Sequence, residues 1–442
     1  MESGWPRWSL WAAASLSTFP SSGVTSWRNL RPVPQPELVV ALDIGTTKVC
    51  TLVGEVTGED QIEILGVGMA PSTGMRKGVV VDIPATAAAI RDSVAEAERR
   101  ARVDIATVYA GITGSHIASQ TGRGEVQIAH EIQEEDIQQA LHNARQIVLP
   151  ADREIVHNIP RQFIVDGQEG VRDPAGMAAG RLQAETHIVT AGTTFVENVV
   201  KCVHRARLQI EELVVEPYAT GLAILTDAER QLGVALADIG GGTTDVALFV
   251  DGAITHTTII PIGGSHVTND LAVLLRLSPD DAERIKVVHG AARQADVHPE
   301  EYVEIRMIGE TEPREIPRGL LTQITEPRME ELFQLLAAHL AAAAREGVFV
   351  SSCVLSGGGS QLPGSVELAQ QTLQTPVRLG RPREVLDPGK LVDSPIYSTA
   401  VGMLHYAAHR LANRRRIREP RSLSASAFRL VLNWLRRGRP RR

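Results

Sequence analysis

The residues best suited to chemistry lie in a glycine-rich loop between two apolar runs. The segment Val234–Phe249 reads VALADIGGGTTDVALF, with three glycines, two threonines and an aspartate between the runs. Glycines lack a Cβ, so successive backbone N–H groups can approach an anion, and threonine hydroxyls add further donors. The loop therefore predicts a site for phosphate groups. The alternative interpretation is a glycine-rich hairpin turn that serves packing.

A second copy of this pattern occurs near the start of the chain. Residues 41–53 read ALDIGTTKVCTLV, again a strand, Asp-Ile-Gly, two threonines and a strand. Asp43 and Asp238 each end an apolar strand, where an unpaired carboxylate is costly but suits a magnesium ion held through water. Two related lobes are therefore predicted to clasp the phosphates of a nucleotide from both sides.

A third glycine-rich segment, SGGGSQLPG at residues 356–364, follows the apolar run CVLS and precedes a predicted helix. Its glycines would let an adenine ring lie flat against the backbone. The chain has neither a G-x-x-x-x-G-K-[ST] loop nor a G-x-G-x-x-G after its first strand, so the common nucleotide-binding motifs do not apply.

Two further features add to this site, a Glu–Lys pair and a single glutamate. Glu283 and Lys286 stand three residues apart in DDAERIKVVHG, on one helical face that could reach ribose hydroxyls; an ordinary surface ion pair is the alternative. Glu216 precedes Pro217 at the end of the strand ELVVEP and could orient an attacking water, although a simple strand-end turn has the same pattern.

The elements that must position these residues alternate in a regular way. Three predicted strands follow Pro36, and a block at about 83–166 combines helical and strand patterns as a small α+β module. From His187 the pattern runs strand, helix, strand, helix and then the glycine-rich loop, which is typical of a layered α/β protein. With 442 residues and 43% hydrophobic content, the chain should form two or more domains.

The charge distribution and the positions of the cysteines limit which partners and which cysteine chemistry the sequence predicts. The net charge is -7, but residues 411–442 hold eleven arginines and one glutamate, a balance of +10 that leaves -17 for the rest. Nucleic acid is therefore not the expected partner. The cysteines, Cys50, Cys202 and Cys353, lie in apolar runs and are predicted to be buried free thiols. No run of 18 apolar residues occurs.

The first 36 residues match no recognised pattern. Residues 8–19 weakly resemble the apolar part of a signal peptide, but serines interrupt them and no cleavage pattern follows. We expect either a disordered extension or a start codon assigned too early.

The motifs DIGTTKV, the connecting EP, DIGGGTTDV and SGGGSQLPG occur in this order. They resemble the phosphate 1, connect 1, phosphate 2 and adenosine motifs of the actin, hexokinase and heat-shock-chaperone ATPase superfamily. Over nearly all of residues 38–442 the chain more narrowly resembles the FtsA family of bacterial cell division proteins. The segments that carry this are VYAGITGSHI, DPAGMAAGRLQAETHIVTAG, VEPYATGLAIL and TTIIPIGGSHVTNDLA.

The resemblance implies a two-lobed actin-like (ribonuclease H-like) α/β ATPase fold, with an inserted small α+β module and a C-terminal amphipathic helix. The implied segments are an extension or mis-assigned start (1–36), the first lobe (37–83, 167–204 and 393–410), the inserted module (84–166), the second lobe (205–259 and 327–392), its subdomain as candidate site for the tail of FtsZ (260–326), a disordered basic linker (411–422) and a membrane-targeting helix (423–442).

The resemblance also implies ATP and Mg²⁺ as ligands, with at most slow hydrolysis. The implied phosphate-binding residues are Asp43, Gly45, Thr46, Thr47, Lys48, Gly240, Gly241, Gly242, Thr243 and Thr244. The implied metal residues, acting through waters, are Asp43, Asp238 and Asp245. The implied ribose and adenosine residues are Glu283, Lys286, Gly357, Gly358, Gly359 and Gln361, with Glu216 as the water-positioning residue.

The C-terminal segment AFRLVLNWLRRGRPRR has the pattern of an interfacial membrane helix. Its predicted membrane-binding residues are Phe428, Arg429, Val431, Leu432, Trp434, Leu435, Arg436 and Arg437. One alternative is a helix docked on the protein's own acidic body. A second is a nucleic-acid-binding tail, but an apolar stripe on one face of a helix provides no groups that bind phosphates.

In the resembled family this helix ties filaments of FtsZ to the inner face of the cytoplasmic membrane at the division septum. The implied partners are FtsZ, further copies of the chain, the anionic membrane surface and later division proteins. Two rivals share the body motifs. A PilM-like pilus assembly adaptor would lack the terminal amphipathic helix, and a sugar kinase would need a catalytic aspartate over an acceptor hydroxyl, for which the sequence between the lobes offers no motif.

Overall fold

The computed structural model describes residues 37–57 and 61–418. The predictions for residues 1–36, for the end of the basic linker and for the helix 423–442 lie outside the described residues. The strands are β1 Glu37–Ile44, β2 Lys48–Thr57, β3 Gln61–Pro71, β4 Met75–Arg76, β5 Val79–Val80, β6 Thr107–Ile112, β7 Ala118–Gln127, β8 Arg153–Val165, β9 Gln168–Val171, β10 Arg181–Gly192, β11 Gln209–Val215, β12 Val234–Ile239, β13 Thr244–Val250, β14 Ala253–Ile260, β15 Tyr302–Ile305, β16 Arg314–Pro317, β17 Ser352–Ser356, β18 Val377–Leu379 and β19 Val385–Leu386. The helices are α1 Ile83–Ala101, α2 Glu134–Ala144, α3 Thr193–Arg205, α4 Glu216–Ile224, α5 Asp227–Leu232, α6 Gly264–Leu274, α7 Pro279–His289, α8 Arg318–Arg345, α9 Ser365–Leu373 and α10 Ser398–Arg418.

The first lobe is a six-stranded sheet in the order β11-β6-β1-β2-β3-β19. β1 pairs antiparallel with β2 and parallel with β6. Val40 and Leu42 pack with residues of α1 and α3 on one face, whereas Val39 and Ala41 pack towards α4 and α10 on the other. Helices on both faces explain why β1 reads as a nearly continuous apolar run.

The second lobe repeats this plan around a five-stranded sheet in the order β14-β13-β12-β17-β18. Ala235, Ala237 and Ile239 pack with residues of α6, α7, α8 and α9. The opposite face, through Val234 and Leu236, joins the same core as α4 and α10. These two helices therefore lie in a core shared by both lobes, and the predicted two-lobed α/β fold is confirmed.

The inserted module is a four-stranded sheet in the order β7-β10-β8-β9, covered by α2. Its boundaries correct the predicted range 84–166. α1 and β6 belong to the six-stranded sheet of the first lobe, because the apolar face of α1 packs on that sheet. β9 and β10, predicted in the first lobe, complete the module, and β11, predicted in the second lobe, is an edge strand of the first.

The start of the basic linker is also corrected. α10 remains helical to Arg418, so residues 411–418 are not the disordered linker that was predicted. Arg410 Nε donates to Glu212 at 3.0 Å and Arg414 Nη1 to Glu211 at 2.8 Å, so two β11 carboxylates compensate part of the basic run. The prediction of three buried free thiols is confirmed for Cys50, Cys202 and Cys353. Within residues 37–57 and 61–418, no helix has the length and apolarity needed to cross a bilayer.

Candidate functional site

Two hairpin loops form the centre of the candidate site: the first loop, residues 45–48, from the first lobe, and the second loop, residues 240–244, from the second lobe. They have the same internal bond: Gly45 N–H donates to the Lys48 carbonyl at 3.0 Å, and Gly240 N–H to the Thr243 carbonyl at 2.9 Å. The loops also touch each other. A Cβ added at Gly241 would lie 2.4 Å from Thr47 Cγ2, so a residue without a side chain is required there.

A cavity of about 90 Å³ opens between these loops and the segment after β17. It has room for several waters or a phosphate group. The predicted residues that line it are Asp43, Gly45, Thr46, Thr47, Lys48, Glu216, Asp238, Gly240, Gly241, Thr243, Asp245, Gly357 and Gly358. The structure therefore brings most of the predicted phosphate, metal and water-positioning residues together, while their binding roles stay predictions.

Some predicted residues lie outside the cavity wall. Gly242 faces Thr46, whose Oγ1 would be 2.7 Å from an added Cβ. Thr244 Oγ1 donates to the Ile262 carbonyl at 2.8 Å and is buried in the second lobe. Its hydroxyl therefore holds the segment between β14 and α6 in place instead of facing the cavity.

The predicted ribose and adenosine residues lie beside the cavity. Lys286 Nζ is 2.7 Å from Glu283 and donates to the Gly264 carbonyl at 3.1 Å. Gly264 N–H in turn donates to the Gly240 carbonyl at 2.9 Å, which connects α7 to the second loop. Gly359 and Gln361 belong to a 3₁₀ helix, Gly358–Gln361, that follows the cavity residue Gly357.

Lys48 supplies positive charge to the cavity wall. Its Nζ donates to Asp43 at 3.1 Å and to the Ile396 carbonyl at 2.9 Å. Burial alone would lower the pKa of Lys48, but the charge of Asp43 and its hydrogen bond raise that pKa above the usual lysine value. Lys48 is therefore charged at neutral pH.

Asp238 is fixed by two threonines from the helices between the lobes. Its Oδ2 accepts hydrogen bonds from Thr220 of α4 at 2.7 Å and Thr399 of α10 at 3.0 Å. Burial raises the pKa of Asp238, and the two hydroxyls oppose that rise. A Cβ at Gly357 would lie 2.3 Å from Asp238 Oδ1, so the third glycine-rich segment packs directly on this carboxylate.

Two further carboxylates are incompletely paired. Asp245 Oδ2 accepts from Thr113 Oγ1 at 2.7 Å, but Asp245 Oδ1 and Glu216 Oε1 are buried and have no hydrogen-bond partner among the described residues. Burial raises the pKa of Asp245 to about 7, and burial followed by repulsion from Asp43 and Asp245 raises the pKa of Glu216 well above its usual value. Buried, unpaired carboxylate oxygens call for a cation or an ordered water.

A hydrated magnesium ion fits this donor set, because the orphaned oxygens are hard ligands that Mg²⁺ or its waters would satisfy. In the part of the chain that the structure describes, no group of three or more His, Cys, Asp and Glu side chains is placed to bind a metal directly. Binding of a magnesium ion to these carboxylates through its water ligands therefore stays a prediction from the sequence.

Glu216 owes its position to the junction between β11 and α4. It is the first residue of α4, with Pro217 in the first turn, where proline is tolerated. A Cβ at Gly111 of the adjacent strand would lie 3.0 Å from Glu216 Oε1, so glycine leaves room for the carboxylate. The side chain is thus buried at the cavity, as a water-positioning residue requires.

Four cavity residues were missed: Thr113, Pro395, Ile396 and Thr399. Thr113 directly follows β6, a strand parallel to β1, so its place at the same sheet edge as Asp43 was a usable signal. Thr399 gave no local signal, because its role depends on the contact of α10 with Asp238, 161 residues away in the sequence.

The fold and this cleft define a protein of the actin-like class. The structure superposes on a chain of a PilM–PilN type IV pilus biogenesis complex with a TM-score of 0.60 at 18% identity, covering 84% of this chain and 98% of that chain. At this identity the likeness shows the fold.

The family follows from sequence matches. A family profile described as "Cell division protein FtsA" matches residues 235–402, and one described as "SHS2 domain inserted in FTSA" matches residues 114–190. Cell division protein FtsA of Pseudomonas aeruginosa is 42% identical over 375 residues, 85% of this chain and 90% of that protein. FtsA of Escherichia coli K12 is 36% identical over 411 residues, 91% of this chain and 98% of that protein. The chain therefore belongs to the FtsA family of cell division proteins.

Proposed function

We propose that this protein is an ATP-binding adaptor of bacterial cell division, which polymerises, tethers FtsZ filaments to the inner face of the cytoplasmic membrane and recruits later division proteins. The contact of the two hairpin loops over a cavity, at Gly241 and Thr47, carries the nucleotide part of this proposal. Membership of the FtsA family supports the division role.

In the proposed nucleotide complex, the N–H groups and hydroxyls of the two loops bind the phosphates, and Lys48 adds a positive charge. Asp43, Asp238 and Asp245 would hold the waters of Mg²⁺, which would neutralise charge on the phosphate oxygens. Glu283 and Lys286 would reach the ribose, and Gly357 to Gln361 the adenosine.

Hydrolysis in this proposal is slow and serves to switch assembly. Glu216, with one unpaired carboxylate oxygen, holds a water at the cavity. Burial, followed by the nearby carboxylates, raises the pKa of Glu216, which makes its carboxylate a stronger base and suits a residue that orients and activates water.

The second-lobe subdomain is the proposed site for the tail of FtsZ. On α6, Val273 and Leu274 are 66% and 65% exposed, and on α7, Val287 and Val288 are 69% and 63% exposed. Adjacent exposed apolar side chains of this size suit an apolar partner segment. The buried sides of α6 and α7 pack with α8 in one hydrophobic core, which holds the exposed residues in place.

The membrane anchor is proposed from the sequence pattern of residues 423–442. Trp434→Glu would put a charge on the apolar face, so it should release the protein from anionic vesicles in co-sedimentation at physiological salt. Asn433→Glu makes the same charge change on the polar face and should have a much smaller effect.

The same assay with FtsZ added tests tethering. FtsZ should sediment with vesicles in the presence of the full chain and remain in solution when residues 423–442 are deleted. A pilus-assembly adaptor is the second candidate, because the fold resembles a chain of a PilM–PilN complex. Vesicle binding that is unchanged by deletion of residues 423–442, together with no recruitment of FtsZ, would count against the proposed function and leave this candidate.

A further inference from the structure

A short hairpin reaches across both phosphate loops. β4 and β5 pair Arg76 with Val79 and are joined by the two-residue turn Lys77-Gly78. Gly78 N–H donates to Thr46 Oγ1 of the first loop at 3.1 Å. A Cβ added to Gly242 of the second loop would lie 3.0 Å from Lys77 Cα. Lys77 is therefore held where the two lobes meet.

The conformation of this turn disfavours lysine. The φ angles of Lys77 and Gly78 are 50° and 73°, the left-handed pair of a type I′ turn, which prefers Asn, Asp or Gly at the first position. Two other hairpins of the chain use the same turn, and both have Asp-Gly, at residues 166–167 and 251–252. Packing and turn geometry thus do not explain the lysine.

The ammonium group of Lys77 has no partner in the described part of the chain. Its side chain is exposed and makes no hydrogen bond or ion pair with any described residue. Burial is the main cause of the lowered pKa of His266 in the first turn of α6, and the positive charge of Lys77 adds to it. His266 itself lies at the second loop, because Ser265 N–H of the same helix turn donates to the Gly241 carbonyl at 2.8 Å. The side chain of Lys77 starts at the same loop, since its Cα lies against Gly242.

The cavity needs further positive charge when a nucleotide binds. Asp43, Glu216, Asp238 and Asp245 line it together with Lys48, which is already paired with Asp43. A triphosphate brings one more charged group than a diphosphate, and a side-chain cation without another partner can bind this group in addition to the proposed magnesium ion.

We propose that Lys77 binds the terminal phosphate of a bound nucleoside triphosphate and so sets the preference of the site for triphosphate over diphosphate. This inference rests on the proposed nucleotide site. It makes Lys77 a specificity-determining residue, and it predicts that the charge at this position matters for ATP and hardly for ADP.

The test is calorimetric titration of the full chain with Mg-ATP and Mg-ADP. Lys77→Asn suits the turn and removes the charge, so its melting temperature should equal or exceed that of the wild type. Its ATP affinity should fall about tenfold or more, the size of a lost charge-assisted hydrogen bond, while ADP affinity changes less than about twofold. Lys77→Arg should keep the preference for ATP.

Lys390 provides a matched control, because it is exposed and has the same φ of 50°. Unlike Lys77, it does not lie against Gly242 of the second loop. Lys390→Asn should leave both affinities unchanged. Equal losses for ATP and ADP in Lys77→Asn, no loss at all, or the same loss in Lys390→Asn would overturn the inference while leaving the nucleotide site intact. A wild-type protein that binds neither nucleotide would overturn the site and the inference with it.

Discussion

Replacing Gly241 by alanine tests whether the two lobes must touch through their loops. The added Cβ would lie 2.4 Å from Thr47 Cγ2 and 2.8 Å from Thr47 Oγ1. Carbon atoms attract at about 3.5–4.0 Å, so the loops would have to separate by about 1 Å. Thr47 and Gly241 both line the cavity, and this shift would widen the place where phosphates are predicted to bind.

The expected magnitude follows from the overlap. Forcing a methyl group into a packed contact costs about 1–3 kcal/mol of unfolding free energy. If both loops hold the same phosphates, the separation also breaks one or more charge-assisted hydrogen bonds, which lowers the affinity for Mg-ATP about tenfold or more.

Urea unfolding and calorimetric ATP titration measure the two effects. Gly180→Ala is the matched control, since its Cβ would meet its nearest atom, Asp166 Oδ1, at an ordinary 3.5 Å. Thr47→Ala removes both clashing atoms, so adding it to Gly241→Ala should recover part of the lost stability. Wild-type stability and wild-type ATP affinity in Gly241→Ala would refute the reasoning.

Two further predictions concern buried titratable groups. Glu216→Gln should reduce ATP hydrolysis while ATP affinity stays within about threefold, because the change removes one charge from a group that acts on water. The pKa of Glu216 is raised in the folded state, so ionisation of this residue destabilises the wild type. The free energy of unfolding of the Glu216→Gln variant in urea should therefore exceed that of the wild type by a margin that grows as pH rises above about 4.5. His157 Nε2 accepts the Val215 N–H at 3.1 Å, and burial lowers the pKa of His157 to about 4, so stability is complete above pH 6.5 and is lost as pH falls, by about 2–3 kcal/mol at pH 4.5. His157→Gln should flatten this acid limb of the pH–stability curve, and an unchanged limb would mean that other groups produce it.

The sequence predicted the parts of this molecule that local patterns encode. Asp-Ile-Gly between apolar strands at Asp43 and Asp238 predicted both hairpins, because strand, turn and anion-binding residues are contiguous there. The similarity of the two loops predicted that they face a common site from two lobes; the structure brings them together and adds a direct contact between Gly241 and Thr47.

The remaining features depend on contacts between distant segments. The helix α1 was assigned to the inserted module because its apolar stripe does not say which sheet it will cover. The sequence predicts a linker at the arginine-rich end of α10, because the carboxylates that compensate it, Glu211 and Glu212, lie 203 and 198 residues earlier than their arginine partners. The anchoring of Asp238 by Thr220 and Thr399 was invisible for the same reason.

The most direct measurement is an experimental structure of the protein with Mg²⁺ and a non-hydrolysable ATP analogue. We predict density for the triphosphate between the loops at residues 45–48 and 240–244, with the hydrated metal next to Asp43, Asp238 and Asp245. Density for the nucleotide elsewhere, or an empty cleft at millimolar analogue, would contradict the central claim that the paired hairpins form a nucleotide site.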